Sequence, residues 1–573
     1  MRYLALACDY DGTVARDGTV SEATIAALED LSTSGRKLIL VTGRELDDLL
    51  TVFPRCDLFE WIVAENGCLL YRPATQEQLY LYAAPPAEFA ETLRARGVPL
   101  SVGKVIVSTW VPHEAAVLEA IRQFGLELQV IFNKGAVMIL PAGHNKASGL
   151  AAALDKMGLS PHNVVGIGDA ENDHAFLDLC GCGVAVANAL PMVKEKADFV
   201  TQGENGLGVI ELANEIVNSD LIEREDLLVE RHLLLAQRDQ DAELRIPPLR
   251  ANLLLAGPSG GGKSTIIGGL LERLAESHYQ FCVIDPEGDY ENLDGMAVLG
   301  QPDRPPTVEE ALGLLKKPQD NLAINLVGIT FKDRPEFFVS FLTRLQELRA
   351  KTGRPHFVIV DEAHHVLPES WQGESLALPQ SLKGLVFITV EPKTLHQKVL
   401  TAVDMVFAVG PEPGKIFLDF AASAAIAAPP LADQPRLERG EILVWQIDSA
   451  SGIFKARGIP GQTQRRRHLR KYAEGDLGAD RSFYFRGSDG ELNLKAQNLI
   501  MFMQIADGVD DNTWEYHLHR GDYSQWFREC IKDEPLADEA VQIESTKKIS
   551  PAESRKLIKA AITRRFTLPA SST

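Results

Sequence analysis

Short, unbroken apolar runs alternate with longer stretches in which apolar residues recur at helical spacing. "YLALACDY" (3–10), "KLILVTG" (37–43), "WIVAENG" (61–67) and "NVVGIGDA" (163–170) are too short for helices and too continuous for half-exposed strands. They read as strands buried on both faces, the habit of a parallel sheet. "SEATIAALEDLSTSG" (21–35) opens on a capping serine and stops at Gly35, and "NKASGLAAALDKMG" (145–158) stops at Gly158, so both read as helices. Residues 1–215 are therefore expected to form one α/β domain with a Rossmann-like core. From about 74 to 140 the alternation breaks. "GKVIVSTWV", a helix around "HEAAVLEAIRQFG", and the strands "LELQVIFN" and "AVMILPAG" suggest a small α/β insertion that closes over the strand ends.

Residues 216–247 are rich in charge. Leu221, Ile222, Leu227, Leu228 and Leu233 are spaced as an apolar stripe, which predicts a helical linker broken by "RIPPL" (245–249). Over 248–460 the strand–helix pattern returns in "ANLLLAG", "YQFCVIDPEGDY", "DNLAINLVG", "PHFVIVDEAHH", "GLVFITVEP" and "DMVFAVG". "GEILVWQI" and "GIFKARG" close it as a hairpin, giving a second α/β sheet. Residues 476–573 predict a small, mainly helical module. Its Trp514, Tyr516, Tyr523 and Trp526 are expected to pack as a core, and His517 and His519, two apart, do not share a helix face.

Composition adds limits. The 573 residues call for two to four domains, and no apolar stretch is long enough to span a membrane. Seven cysteines without a CxxC pair fit buried thiols in a reducing, cytoplasmic setting. The net charge of −21 disfavours general nucleic-acid binding. The basic run "RRRHLRK" (465–471) reads as a solvated linker.

Two stretches carry candidate chemistry. In open parallel sheets, ligands bind beyond the carboxyl ends of the strands. Asp9 and Asp11, Thr42 and Gly43, Lys146, and "GDAENDHAFL" with Asp169, Asn172 and Asp173 are all expected there. Crowded carboxylates ask for a divalent cation such as Mg²⁺, while Lys146 and the Thr42 hydroxyl suit a phosphate. For Asp9 and Asp11 to act together the chain must leave strand geometry at Tyr10–Asp11, and Gly12 permits that turn. Arg44 is open between a substrate role and a salt bridge to Glu45 or Asp47.

"DYDGT", "VTGR", Lys146 and "GDAENDHAFL" resemble, in order and strand context, the four motifs of haloacid dehalogenase-like phosphatases. The position of the insertion resembles the subclass with an α/β cap, which includes sugar-phosphate and phosphoglycolate phosphatases. The resemblance implies Asp9 as nucleophile through an aspartyl-phosphate, and Asp11 as general acid and base. It implies that Asp9, the Asp11 backbone and Asp169 hold Mg²⁺, with Asp173 orienting Lys146 or a metal-bound water. It implies Thr42, Gly43, Lys146 and Asn172 around the phosphate, and a small phosphorylated metabolite as substrate.

"GPSGGGKST" (257–265) fits a phosphate-binding loop. Gly257, Gly260 and Gly262 free backbone N–H groups, Lys263 reaches the β/γ-phosphates of ATP, and Ser264, followed by Thr265, binds its Mg²⁺. Asp361 would hold that ion and Glu362 polarise water, with Thr389 at a neighbouring strand end. With "DPEGDY", this set resembles the HerA–FtsK branch of additional-strand P-loop ATPases, although Val390 and Glu391 stand where a Gln usually follows the sensor Thr. The resemblance implies an ATPase, often a ring oligomer. Arg334, Arg344, Arg349 and Arg439 are candidates for an arginine finger, but each reads more readily as a surface charge. The expected function is a phosphomonoesterase fused to an ATP-binding or ATP-hydrolysing domain that regulates or assembles it. The alternatives are a HerA-like nucleic-acid motor with a phosphatase effector, and a nucleic-acid end-processing kinase–phosphatase.

Overall fold

The computed structural model describes all residues except 134, 239–241, 291–294, 372–382, 432–435, 439, 448–451, 462–481, 488–491, 532, 547–548 and 567–573. Arg439 and the basic run at 465–471 lie outside the described residues. Two compact units result. Met1–Gly257 with Arg273–Arg457 forms the first, and Pro258–Glu272 with Gly458–Thr573 forms the second.

Among the described residues, the first unit holds three sheets. Strands β1 (Ala5–Asp9), β2 (Lys37–Val41), β3 (Trp61–Ala64), β4 (Leu69–Arg72) and β5 (Glu77–Tyr80) belong to the first of these. Strands β6 (Ser101–Val102), β7 (Val107–Trp110), β8 (Leu128–Asn133) and β9 (Ala136–Pro141) make a separate four-stranded sheet in the order β6-β7-β9-β8. The first sheet is completed by β10 (Val164–Gly168), β11 (Cys182–Ala185) and β12 (Phe199–Val200), and its order is β12-β11-β10-β1-β2-β3-β4-β5. It is parallel from β12 to β3 and antiparallel across β4 and β5. β1, β3, β10 and β11 are buried throughout, as continuous apolar runs require.

The inserted cap is narrower than its sequence suggests. Residues 77–80 pair with β4 and extend the core sheet, so the separate cap sheet begins only at Ser101. The helices Ala87–Ala95 and Glu114–Phe124 cover one cap face through Phe89, Leu93 and Val117.

Residues 216–247 are not a helical linker. The helix Gly206–Ser219 ends there, short 3-10 turns cover Ile222–Arg231, and β13 (Leu233–Arg238) and β14 (Glu243–Ile246) form an antiparallel hairpin. Leu221, Leu228 and Leu233 are buried, but Ile222 and Leu227 face solvent, so no continuous stripe exists.

That hairpin edges the third sheet, which continues with β15 (Leu253–Ala256), β16 (Phe281–Asp285), β17 (Met296–Leu299), β18 (Asn321–Asn325), β19 (Phe357–Val360), β20 (Leu385–Thr389), β21 (Met405–Ala408), β22 (Glu441–Gln446) and β23 (Ile453–Gly458). Its order is β14-β13-β23-β22-β21-β15-β20-β19-β16-β18-β17. The parallel strand β20 stands between β15, which leads into the glycine-rich loop, and β19, which leads into Asp361. That inserted strand is the topology the additional-strand resemblance implies.

The first and third sheets meet at the amino ends of their strands. Arg354, two residues after the helix Arg334–Thr352, is fully buried. It donates to the Gly158 carbonyl at 2.6 Å, the Lys316 carbonyl at 3.2 Å and Gln280 Oε1 at 2.8 Å. His356, just before β19, faces Asn163, just before β10, at 3.3 Å. The His162 ring stacks on Tyr279 with centroids 3.8 Å apart and bonds the Ser277 carbonyl at 2.7 Å. Burial lowers the Arg354 guanidinium to about 10.

In the second unit, a hairpin of β24 (Phe483–Phe485) and β25 (Leu494–Ala496) packs with five helices spanning Leu499–Phe566. Phe483, Phe502, Trp514, Tyr523 and Trp526 form its core, with Trp514 and Tyr523 stacked at 4.4 Å. Tyr516, expected among them, lies off that core and stacks under Arg520. His517 is a buried structural histidine held by Asp522 at 2.8 Å, and the Arg486 N–H donates to its other ring nitrogen at 2.9 Å. All seven cysteines are free thiols, six of them buried.

Candidate functional site

β1 ends at Asp9, and the chain turns at once. The amides of Val14 and Ala15 return to the Asp9 and Tyr10 carbonyls, and Gly12 takes φ 87°. That conformation favours glycine because it carries no Cβ. The helix Lys146–Met157 starts from an Asn145–Ser148 capping box, which sets Lys146 at its first position. Lys146 Nζ lies 2.6 Å from Asp9 Oδ1 and 2.6 Å from Asp173 Oδ1, all three side chains being buried. Asp173 Oδ2 accepts the N–H groups of Asp169 and Ala170 at 2.8 and 2.9 Å, and the Thr13 hydroxyl donates to Asp169 at 3.3 Å.

Asp9, Asp169 and Asp173 each offer a carboxylate oxygen within 4.8 Å of the others. Burial, then Asp173, push the Asp9 carboxyl up, against Lys146, and Asp169 adds to the push. Burial works against the Lys146 charge, yet Asp173 and Asp9 raise its pKa. Three buried carboxylates thus share one ammonium. The excess negative charge and all-oxygen donors fit a hard divalent cation.

Thr42 is buried, and its hydroxyl accepts the Arg44 N–H at 3.1 Å. Gly43 lies beneath the cap. A Cβ there would touch Met138 Sδ at 3.5 Å and Asn172 Nδ2 at 3.6 Å. Asn172 donates to Asn66 Oδ1 at 3.1 Å. Asn172 Oδ1 and Asn66 Nδ2 are buried and lack a partner among the described residues. Asp11 stands at the rim, gripped by Arg44 through Nε at 2.6 Å and Nη2 at 2.7 Å. Arg44 binds Asp48 as well, at 2.7 Å, so its partners are neither Glu45 nor Asp47. Asn66 and the Asp11–Arg44 fork are not evident in the sequence. The positive φ of Asn66, 55°, marks it only once the backbone is known.

In the third sheet, Tyr290 of "DPEGDY" donates to Asp361 Oδ2 at 2.8 Å, and the Glu362 N–H donates to Asp361 Oδ1 at 2.9 Å. Burial raises the Asp361 carboxyl to about 7, with Tyr290 opposing and Glu362 adding. Burial likewise raises Asp285 to about 6, although the backbone N–H groups of Tyr290 and Gly288 stabilise its charged form. Glu362 sits at φ 37°, and its Oε2 lies 3.5 Å from His364 Nδ1. That nitrogen is 3.2 Å from Thr389 Oγ1. Arg334, read as a surface charge, is instead buried against backbone carbonyls, and Arg349 is half-buried against the Pro355 and Lys383 carbonyls, whereas Arg344 does lie at the surface beside Glu309. Gly257 ends this part of the chain, where a Cβ would strike the Val409 carbonyl at 2.5 Å.

The glycine-rich turn itself belongs to the second unit. Gly260 and Gly262 take φ 79° and 99°. Lys263, Ser264 and Thr265 open the helix Lys263–Glu276, and Lys263 Nζ donates to the Pro258 carbonyl at 3.1 Å.

Residues 6–96 and 101–212 match the haloacid dehalogenase-like hydrolase family, and residues 233–357 match the central domain of helicase HerA. A phosphoglycolate phosphatase of Methanothermobacter thermautotrophicus is 33% identical over 218 residues, covering 36% of this chain and 96% of that protein. Phosphoglycolate phosphatase 2 of Saccharolobus solfataricus is 28% identical over 230 residues, covering 39% and 97%. A solved haloacid dehalogenase-like hydrolase from Bacteroides thetaiotaomicron is 20% identical over 37% of this chain and 99% of its own, with a TM-score of 0.34. The chain belongs to the haloacid dehalogenase-like hydrolases. It joins an enzyme of this phosphatase family to a HerA-like P-loop domain. Among the described residues, no helix is long and apolar enough to cross a membrane.

Proposed function

We propose that the chain is a divalent-cation-dependent phosphomonoesterase for a small phosphorylated metabolite, and that its P-loop domain binds and hydrolyses ATP to regulate it. The observation that carries this reading is the Lys146 bridge between Asp9 and Asp173, with Asp169 alongside. Both oxygens of Asp173 are engaged, which favours it as a brace for Lys146 and leaves Asp9 and Asp169 as the side chains that would hold Mg²⁺. The bound ion would supply charge neutralisation to the incoming phosphate.

Asp9 attacks phosphorus, forming an aspartyl-phosphate while the ester P–O bond breaks. Asp11 gives a proton to the departing alkoxide and then takes one from the water that cleaves the acyl phosphate. Arg44 holds Asp11 at the rim through both carboxylate oxygens, and one of these contacts must open before Asp11 carries a proton. Lys146, the Thr42 hydroxyl and the Gly43 backbone receive the phosphoryl oxygens, and Asn172 fixes their far side. Relatives named phosphoglycolate phosphatase favour phosphoglycolate over a sugar phosphate.

ATP would be bound by the loop from Gly257 through Gly260 and Gly262 to Lys263, Ser264 and Thr265. Asp361 would serve its Mg²⁺ and Glu362 its attacking water. The seam of Arg354, His356 and His162 supports regulation. It ties the amino end of β19 to the far ends of the helix carrying Lys146 and of the strand leading to Asp169. The seam lies at the strand ends opposite Asp9 and Asp361, which favours control over transfer of a substrate.

A screen of phosphorylated metabolites with and without ATP, on wild type, Asp9→Asn and Lys263→Ala, tests the reading. Phosphate release must vanish with Asp9→Asn and lose its response to ATP with Lys263→Ala. The HerA match favours one other reading, a homo-oligomeric nucleic-acid motor; DNA-stimulated ATPase activity in a ring oligomer would select it.

A further inference from the structure

Glu65 follows β3, and its carboxylate is fully buried, yet among the described residues it pairs with no cation. It accepts three consecutive backbone N–H groups of the cap instead, from Lys104 at 2.8 Å, Val105 at 2.7 Å and Ile106 at 3.0 Å. Successive N–H groups aimed at one point form an anion nest, and here the anion comes from the core domain. The fit is close, because a Cβ on Gly103 would stand 2.9 Å from that carboxylate. A second tie flanks it, Lys104 Nζ to Asp47 at 2.7 Å.

Glu65 and Asn66 both adopt positive φ, 51° and 55°. Non-glycine residues hold such conformations only where their surroundings overdetermine them. The overdetermining contacts are with the phosphate loop. Glu65 N–H donates to the Arg44 carbonyl at 2.9 Å, and Asn66 N–H donates to the Thr42 carbonyl at 3.0 Å. Asn66 Oδ1 accepts from Asn172. One strained dipeptide therefore holds the cap on its side chain and the Thr42–Arg44 loop on its backbone. That loop carries the Thr42 hydroxyl assigned above to the phosphate and the guanidinium that grips Asp11.

We propose that Glu65 is a positioning residue that makes the productive geometry of the Thr42–Arg44 loop conditional on cap docking. The inference rests on the phosphatase reading of that loop. Glu65→Gln preserves shape but turns an N–H toward the cap amides. Gly103→Ala keeps the carboxylate and pushes the cap loop off it. Both variants are expected to lower kcat about tenfold or more while KM for phosphoglycolate moves less than twofold. In both, amide exchange is expected to quicken at residues 104–106 and also at residues 65 and 66. A rise in KM with kcat retained would reduce Glu65 to a wall of the pocket and overturn the proposal. So would exchange that quickens at 104–106 but not at 65 and 66, or that is unchanged throughout. If the wild type hydrolysed no phosphomonoester, the phosphatase reading alone would fall, and the exchange pattern would still decide whether Glu65 links cap to loop.

Discussion

Arg354 Nη2 lies 2.6 Å from the carbonyl of Gly158. Gly158 closes the helix that begins at Lys146, and Arg354 stands three residues ahead of β19, the strand that delivers Asp361. The contact joins the end of the helix that carries Lys146 to the start of the strand that leads into Asp361. Arg354→Met is expected to leave phosphate release without nucleotide near the wild-type rate and to abolish the change that ATP produces. Phosphatase assays with and without ATP check this. Because Gly158 and Gln280 lose their donor inside the protein, unfolding in urea should show a loss of about 1–3 kcal/mol.

Acid should loosen the same seam. Burial depresses His162 to about 4 and holds His356 well below its ordinary value, so both are neutral in the folded chain. In the unfolded chain they take up protons near pH 6.5. The unfolded state thus binds more protons across this window, and stability falls as pH drops from 6.5 towards 4. Across that window His162 accounts for a loss of about 3 kcal/mol, and His162→Gln should reduce the fall in denaturant titrations at stepped pH.

A divalent cation should stabilise the first unit. The charge of three carboxylates on one ammonium is only partly offset without it. Adding Mg²⁺ at a hundredfold excess over its dissociation constant is expected to raise stability by about 2.7 kcal/mol. Asp169→Asn should remove most of the Mg²⁺-dependent shift in Tm while leaving the metal-free Tm near wild type.

Tyr290 should matter to ATP and not to phosphate esters. Its hydroxyl fixes Asp361 at 2.8 Å. Tyr290→Phe removes that donor from a buried carboxylate, a change of about 1–3 kcal/mol in holding it. ATP turnover should fall about tenfold, while phosphate release in the absence of ATP stays at the wild-type rate.

Much of the first site was legible because its residues lie where strands end. The exit of Asp9 and Asp11 from strand geometry follows from Gly12, and the start of the helix at Lys146 from the Asn145–Ser148 box. The hairpin of β13 and β14 was not legible. Its leucines and charges mimic a helical stripe, and it becomes strand only by joining a sheet whose other members lie far along the chain. The same holds for Arg44 with Asp11, Glu65 with the cap amides, and Arg354 with Gly158. Each is a contact of high sequence separation, and local pattern carries no information about the partner.

The central claim is that Asp9 accepts the phosphoryl group. Mixing the protein with ³²P-labelled phosphoglycolate and Mg²⁺, quenching in acid within the first turnover and digesting the chain will read it directly. Label on the peptide containing Asp9 in wild type, and none in Asp9→Asn, is the result expected here. Phosphate release by wild type with no labelled peptide, or label retained in Asp9→Asn, would contradict it.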